Sequence, residues 1–438
     1  MKKTIILGMI ICVPSISMAQ WSLERCIDYA ITHNIQLRQQ ENNTQLKELS
    51  LSTARNASLP DLSFGAQESF SFGRGLTADN TYTNKSTNST ALQLSTSVPL
   101  FTGMEIQNRI KQAKAELDAA TEELEKARND IRVEVAKYYT QAVYGHELTE
   151  TARRQVGIDS LQTERLRQML KAGKAAAADV ARQEAALAQS RLTLTQTETD
   201  MRSAILSLRL LLELQDDKAF DIIMPKHDSD KIAGMTIPSA EFIYEQALTQ
   251  RPEIKGGMIK LKSSEYNISI AKAALYPRLY LSGSLGTNYY KTSGIEMDGF
   301  GKQMKNNFNQ GIGLSLSIPI FNRFQTRNNI RAARVEHLSQ QLSMENTKKA
   351  LYNEVQQVYL NTVSAKARYT SSLVARDSSE EAFRLTKAKY ENGKASITEF
   401  NEAKNDMLKA ESDLSRAKYE YIYQMALIDF YCGKDLKF

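Results

Sequence analysis

The sequence says the same thing twice, and that repetition limits its folds more than any other feature. Gly173-Lys174-Ala175 returns as Gly393-Lys394-Ala395, and Ser97-Val98-Pro99-Leu100-Phe101 returns as Ser317-Ile318-Pro319-Ile320-Phe321, both 220 residues later. Matching segments at one fixed spacing mark an internal structural repeat.

The periodicity within the first copy names its parts. Residues 21–59 read as one helix, with Leu23, Ile27, Ala30 and Ile31 on one side, stopped by Pro60. Leu62, Phe64, Ala66, Phe70 and Phe72 then alternate with small polar residues, a strand with one apolar face. Glu68 interrupts that face, which a register-shifting bulge would explain. Residues 73–89, rich in Asn, Thr, Ser and Gly, read as a loop, and Leu92, Leu94, Val98 and Leu100 as a second strand. Ile110, Leu117, Leu124 and Ile131 then recur every seventh position, with Ala113, Ala120 and Ala127 as a second seam. The helical pattern lasts about 70 residues, which is roughly 100 Å of helix. Gly173 interrupts it, and Val180, Leu187, Leu194, Met201 and Leu208 carry the chain back as an antiparallel helical hairpin.

The second copy repeats the plan: a helix over 239–276, a strand through Leu279, Leu281, Leu285 and Tyr289, a loop over 291–309, and a strand from Ile312 to Ile320. A second long helix, the turn at Gly393 and a return through Phe400, Met407, Leu414, Tyr421 and Ile428 complete it. The expected organisation is a leader over 1–19, a first repeat over 20–214, a linker over 215–238 with a small strand around Ile222, and a second repeat over 239–438. The fold class is mixed α+β, mostly α.

Composition agrees with extended helices: in 438 residues Gly (20) and Pro (8) are scarce, and charged residues reach 24%. The net charge of +6 includes Lys2 and Lys3, and it is too small and dispersed for a nucleic-acid footprint. Lys2 and Lys3, the apolar run from Ile5 and Ser17-Met18-Ala19 read as a secretory signal peptide cleaved after Ala19. Bulky Ile11 before Cys12 speaks against a lipid-attachment site there. Cys26 and Cys432 remain; an oxidising compartment permits a bridge between them, and two separately packed thiols are the other reading.

No run of about 18 apolar residues follows the leader, so a membrane span must be built from strands. Even the smallest membrane barrels need about eight strands, so four per chain require oligomerisation. Two chains would supply eight and a lumen filled by side chains, and three would supply twelve with room for water. Catalytic patterns are missing: His33, His146, His227 and His337 are scattered, and Gly311-x-Gly313 lies inside a strand without a third glycine. No cofactor or metal ligand set is expected.

In its ordered strands, its two Pro-Leu/Ile-Phe junctions and its two glycine turns, the whole mature sequence resembles the TolC-like outer-membrane efflux factor family. The resemblance implies a homotrimer in outer-membrane lipid, with a twelve-stranded β-barrel continuous with a periplasmic α-helical barrel. It further implies that Gly173, Lys174, Gly393 and Lys394 lie at tips that meet a periplasmic adaptor protein, itself linked to an inner-membrane transporter. Asp179 and Tyr390 match positions whose hydrogen bond holds the entrance shut, whereas Ala395 stands where that family's arginine is expected. Glu399 and Glu402 match its acidic entrance positions; in a trimer, neighbouring carboxylates ~6 Å apart would repel by roughly 3 kcal/mol, favouring cations or protons. The plain reading of the pair is a solvated helix start, suited to the positive end of the helix dipole. A trimeric adhesive surface protein with a barrel anchor is the alternative, although its strands would sit together at the C-terminus. The exported substrate is not written in the sequence.

Overall fold

The computed structural model describes residues 21–76, 80–214, 220–225, 232 and 234–437. The expected leader lies outside the described residues, as does most of the 215–231 stretch of the linker. The chain groups into two compact units that cut across the two repeats. One holds the described residues up to Glu41, Leu124–Pro252 and Lys348 onward; the other holds Asn42–Glu123 and Glu253–Thr347.

The second of these units carries a single antiparallel sheet in the order β1-β2-β3-β4, formed by β1 (Ser63–Leu76), β2 (Tyr82–Phe101), β3 (Arg278–Thr292) and β4 (Asn309–Ser317). Pairing of β2 with β3 joins the two repeats into this one sheet. The loop expected over 73–89 is mostly strand, because β1 and β2 stay paired until Leu76 meets Tyr82. Backbone groups make the ladder, and polar side chains on both faces leave no hydrophobic alternation to betray it. Glu68 keeps its register opposite Thr90 without a bulge, and the Thr90 hydroxyl donates to its carboxylate. The ladder shifts register instead between Pro99 and Phe101.

β4 ends at Ser317 rather than continuing to Ile320, since Ser317 already faces Arg278, the first residue of β3. At its other end β4 pairs only as far as Gly286, so β3 would run on with bare backbone groups. The stretch expected as a loop contains a short helix, α7 (Phe300–Asn306), that covers this edge. Gln303 of α7 donates to the Tyr290 carbonyl and accepts from the Tyr290 N–H, each at 3.0 Å, standing in for a strand. The glycine pair Gly311 and Gly313 lies opposite Ser284 and Ser282, whose hydroxyls an added Cβ would crowd at 3.2 and 3.1 Å.

The junction after β2 has two successive left-handed residues, Gly103 (φ +63) and Met104 (φ +67). The same turn recurs in the second repeat with Arg323 (φ 53) and Phe324 (φ 62). Only glycine adopts this region without steric cost. Arg323→Gly should therefore cost the protein little and raise its thermal stability by up to about 1 kcal/mol, measurable as an increased unfolding midpoint.

Each stretch expected as one helix before the strands is two. α1 (Leu23–His33) and α2 (Ile35–Asn56) meet at Asn34, whose side-chain oxygen accepts from the N–H groups of Gln36 (2.9 Å) and Leu37 (3.3 Å). This is an N-cap inserted into an otherwise helical pattern. α5 (Ala240–Gln250) and α6 (Pro252–Ala273) meet at Arg251, which is extended because a proline follows it. The Arg251 guanidinium lies over Phe430 and Tyr431, 5.0 and 4.8 Å from their centroids.

The first unit holds most of two helical hairpins, from Leu124 and from Lys348 onward. α3 (Glu105–Lys171) is followed by α4 (Ala177–Leu211), and α8 (Gln325–Glu391) by α9 (Ile397–Tyr431). Its core includes Val135, Tyr139 and Val143 from α3, Ile243 from α5, and Tyr421 and Ile428 from α9. The small strand expected near Ile222 is a single parallel bridge to Trp21, and the Tyr139 hydroxyl donates to the Ile223 carbonyl at 2.7 Å. Cys26 and Cys432 are both free. Burial pushes the Cys26 thiol up to about 12, against the opposing pull of Arg25, so it packs as a small apolar side chain.

Glu147 on α3 accepts from Tyr419 (2.6 Å), Lys418 (2.9 Å) and Ser415 of α9. Burial alone would raise its carboxyl; these hydrogen bonds outweigh it and hold the group below the usual carboxylate range. A depressed folded-state value means stability that is complete above the unfolded value and lost as pH falls through the folded one. Glu147→Gln should accordingly weaken the protein at neutral pH and flatten its acid destabilisation, read from unfolding midpoints between about pH 7 and pH 3.

Candidate functional site

The two tips are built alike. Gly173 (φ +69) and Gly393 (φ +70) end their helices in the left-handed conformation. At each, the glycine N–H reaches back three residues and the following lysine N–H reaches back five, closing the α3 end on Leu170 and Met169 and the α8 end on Tyr390 and Lys389. This is the Schellman arrangement, which satisfies the terminal carbonyls. No atom lies within 4 Å of a Cβ added to either glycine, so conformation alone demands them and the turn faces open space. Lys174 and Lys394 are exposed, and their backbone N–H groups complete the turns.

Behind the turns the tips pack on each other. Leu166 and Val180 of the first hairpin meet Ile397 and Phe400 of the second, with Phe383 and Tyr390 against them. The Phe400 ring centroid is 4.9 Å from Tyr390 and 5.6 Å from Phe383. The Tyr390 hydroxyl accepts from the Gln162 side-chain amide at 2.6 Å. Burial pushes its phenol above the usual range, opposed by Arg165 and the Gln162 hydrogen bond and reinforced by the Asp179 carboxylate.

Asp179 occupies the first turn of α4, where N-cap Ala176 offers no side-chain acceptor and a carboxylate complements the helix dipole. Its side chain lies 3.9 Å from Arg182. Within the chain Asp179 is near Tyr390, but the tyrosine hydroxyl is held by Gln162. Ala395 has no charge to offer this group.

Glu399 has a defined local task. Its carboxylate accepts from the Ser396 N–H at 2.7 Å while the Ser396 hydroxyl accepts from the Glu399 N–H at 3.2 Å, a capping box at the start of α9. The Ser396 backbone hydrogen bond foremost holds its carboxyl below the usual range. Ser396-x-x-Glu399 was available in the sequence as a helix-start signal. Glu402, one turn on, is exposed.

A cluster that periodicity alone did not single out lies farther along the same bundle. Asp159 of α3 and Lys404 of α9 form an ion pair with 1% of each side chain exposed. Gln183 of α4 and Asn401 of α9 join it. A signal did exist: the seven-residue seam of Ile110 to Ile131, continued, falls on Asp159, a charge where an apolar residue belongs. Among the described residues no group of His, Cys, Asp or Glu could hold a metal ion.

The chain matches the family described as outer membrane efflux protein over residues 26–213 and 243–433. It belongs to the outer membrane efflux protein family. Protein CyaE of Bordetella pertussis is 24% identical over 392 residues, covering 89% of this chain and 79% of that protein. Toxin and drug export protein A of Aggregatibacter actinomycetemcomitans is 22% identical over 307 residues, and the matched part covers 69% of this chain and 64% of that protein. The outer membrane protein VceC of Vibrio cholerae has a similar fold, with a TM-score of 0.78 at 17% identity over 95% of this chain and 97% of its own.

An efflux-family chain of this design is an outer-membrane channel, the exit duct of an efflux or secretion system, and the adhesive alternative falls away. The family is one of transport channels, whose three four-stranded sheets close a twelve-stranded barrel and whose helices form the periplasmic tunnel.

Proposed function

We propose that the two tips of each protomer form the periplasmic entrance of the duct and the surface on which a periplasmic adaptor docks, with an inner-membrane transporter beyond it. The single observation that carries this reading is the tip itself. Two left-handed glycine turns stand in open space on a shared apolar cluster, a fixed surface made from both repeats. Gly173, Lys174, Gly393 and Lys394 offer backbone and two cations to the adaptor.

Tyr390 and Asp179 are the proposed latch groups, with Gln162 keeping the tyrosine in place. Three chains bring their Glu399 and Glu402 carboxylates toward one constriction, where Glu402 is exposed and Glu399 is tied to Ser396. Such a ring attracts cations or protons.

Single-channel conductance of the purified trimer tests the latch. Asp179→Ala and Tyr390→Phe should each raise the conductance of the resting channel several-fold, roughly what loss of one hydrogen bond allows. Unchanged conductance in both overturns the latch assignment.

A further inference from the structure

We infer that Asp159 and Lys404 form a clamp that fixes the second helical hairpin onto the first inside each protomer, so that the two tips move as one body. The clamp deepens the entrance reading above, and its consequence for conductance rests on that reading.

Four side chains form a closed circuit. Lys404 Nζ pairs with Asp159 Oδ1, crossing from α9 to α3. Gln183, fully buried on α4, donates to the same Asp159 oxygen at 3.2 Å and to the Asp159 carbonyl at 3.4 Å. Asn401 donates to Gln183 Oε1 at 3.0 Å and accepts from Lys404 at 3.3 Å. Both hairpins therefore share one hydrogen-bond network, on which each member depends.

The apolar cluster beside it does not fix position in the same way. Phe400 and Leu166 can slide against new apolar neighbours at small cost, because dispersion contacts are not directional. The ion pair cannot slide. Displacing α9 from α3 leaves a desolvated ammonium beside Asn401 and a desolvated carboxylate beside Gln183, each without its countercharge, which is the costly way to break a buried pair. Among the described residues the buried Asp159 Oδ2 has no hydrogen-bond partner, so without Lys404 the carboxylate keeps only the Gln183 amide on Oδ1. Asp159 and Gln162 are three residues apart on one face of α3, which places the clamp directly behind the amide that holds Tyr390.

Two measurements on the full-length trimer test this. Amide hydrogen exchange across residues 397–406 reads the clamp itself. Lys404→Gln and Asp159→Asn should each speed exchange there roughly tenfold or more, while the double variant, two neutral amides able to bond each other, returns to within roughly threefold of wild type. Spontaneous switching between conductance levels in planar bilayers reads the consequence, and should rise in the single variants and fall back in the double. A pair with only a general structural role would lower the thermal midpoint without this reversal. Should a single variant fail to assemble while the double assembles and exchanges like wild type, the same asymmetry is seen. Single variants that exchange like wild type, or a double that exchanges as fast as they do, overturn the clamp. Exchange that rises without any change in switching leaves the clamp standing and counts against the entrance reading.

Discussion

Phe400→Ala should loosen both tips at once. The side chain is 5% exposed and is shared by Leu166 and Val180 from one hairpin and by Phe383, Tyr390 and Ile397 from the other. Emptying a buried phenylalanine site costs about 3–5 kcal/mol, and most of it here falls on the contact between the hairpins. The sheet, in the other compact unit, should keep its stability. Limited proteolysis checks the expectation: cleavage near residues 170–176 and 390–396 should accelerate strongly, with cleavage in the β-strands unchanged. Phe400→Leu, which refills most of the volume, should recover most of the protection.

Gly103→Ala, in the unit that carries the sheet, should have an effect of similar size. A Cβ there would lie 2.7 Å from the Ala273 carbonyl oxygen and 2.7 Å from the Tyr276 Cβ, neither of which is the end of a flexible side chain. The left-handed φ adds its own strain, and together the two effects amount to about 2–5 kcal/mol. The damage lands where β2 becomes α3, so folding into the membrane suffers directly. Yield of heat-resistant trimer in the outer-membrane fraction should fall sharply, and Gly173→Ala, left-handed but in open space, should lower it far less.

How much of this was legible in the sequence depends on the kind of signal each residue carries. Both hairpins and both tip turns follow from seven-residue seams and from two glycines at matching positions, because helices that bury one face must repeat. The polar strand segments over 73–76 and 82–89 left no such trace, since neither face carries an apolar row and the ladder is made by backbone alone. The breaks at Asn34 and Arg251 were written locally, in an N-cap residue and in a residue before proline, but a strong helical pattern masked them.

At the site, Gly173 and Gly393 were readable from the turn they must make, and Glu399 from its spacing to Ser396. The Asp159–Lys404 pair was only half readable. A charge in an apolar seam flags a buried group, but no local rule says which residue 245 positions away neutralises it. Likewise Gln162 gave no sign that it would hold Tyr390, a contact that exists only once the two hairpins are packed.

This chain assembles into an outer-membrane duct. Purified from the outer-membrane fraction without denaturant and placed in a planar bilayer, the protein should have the mass of three chains and open a water-filled, ion-conducting pore. A monomer that stays in the soluble fraction, or a trimer that conducts nothing under any applied voltage, would contradict it.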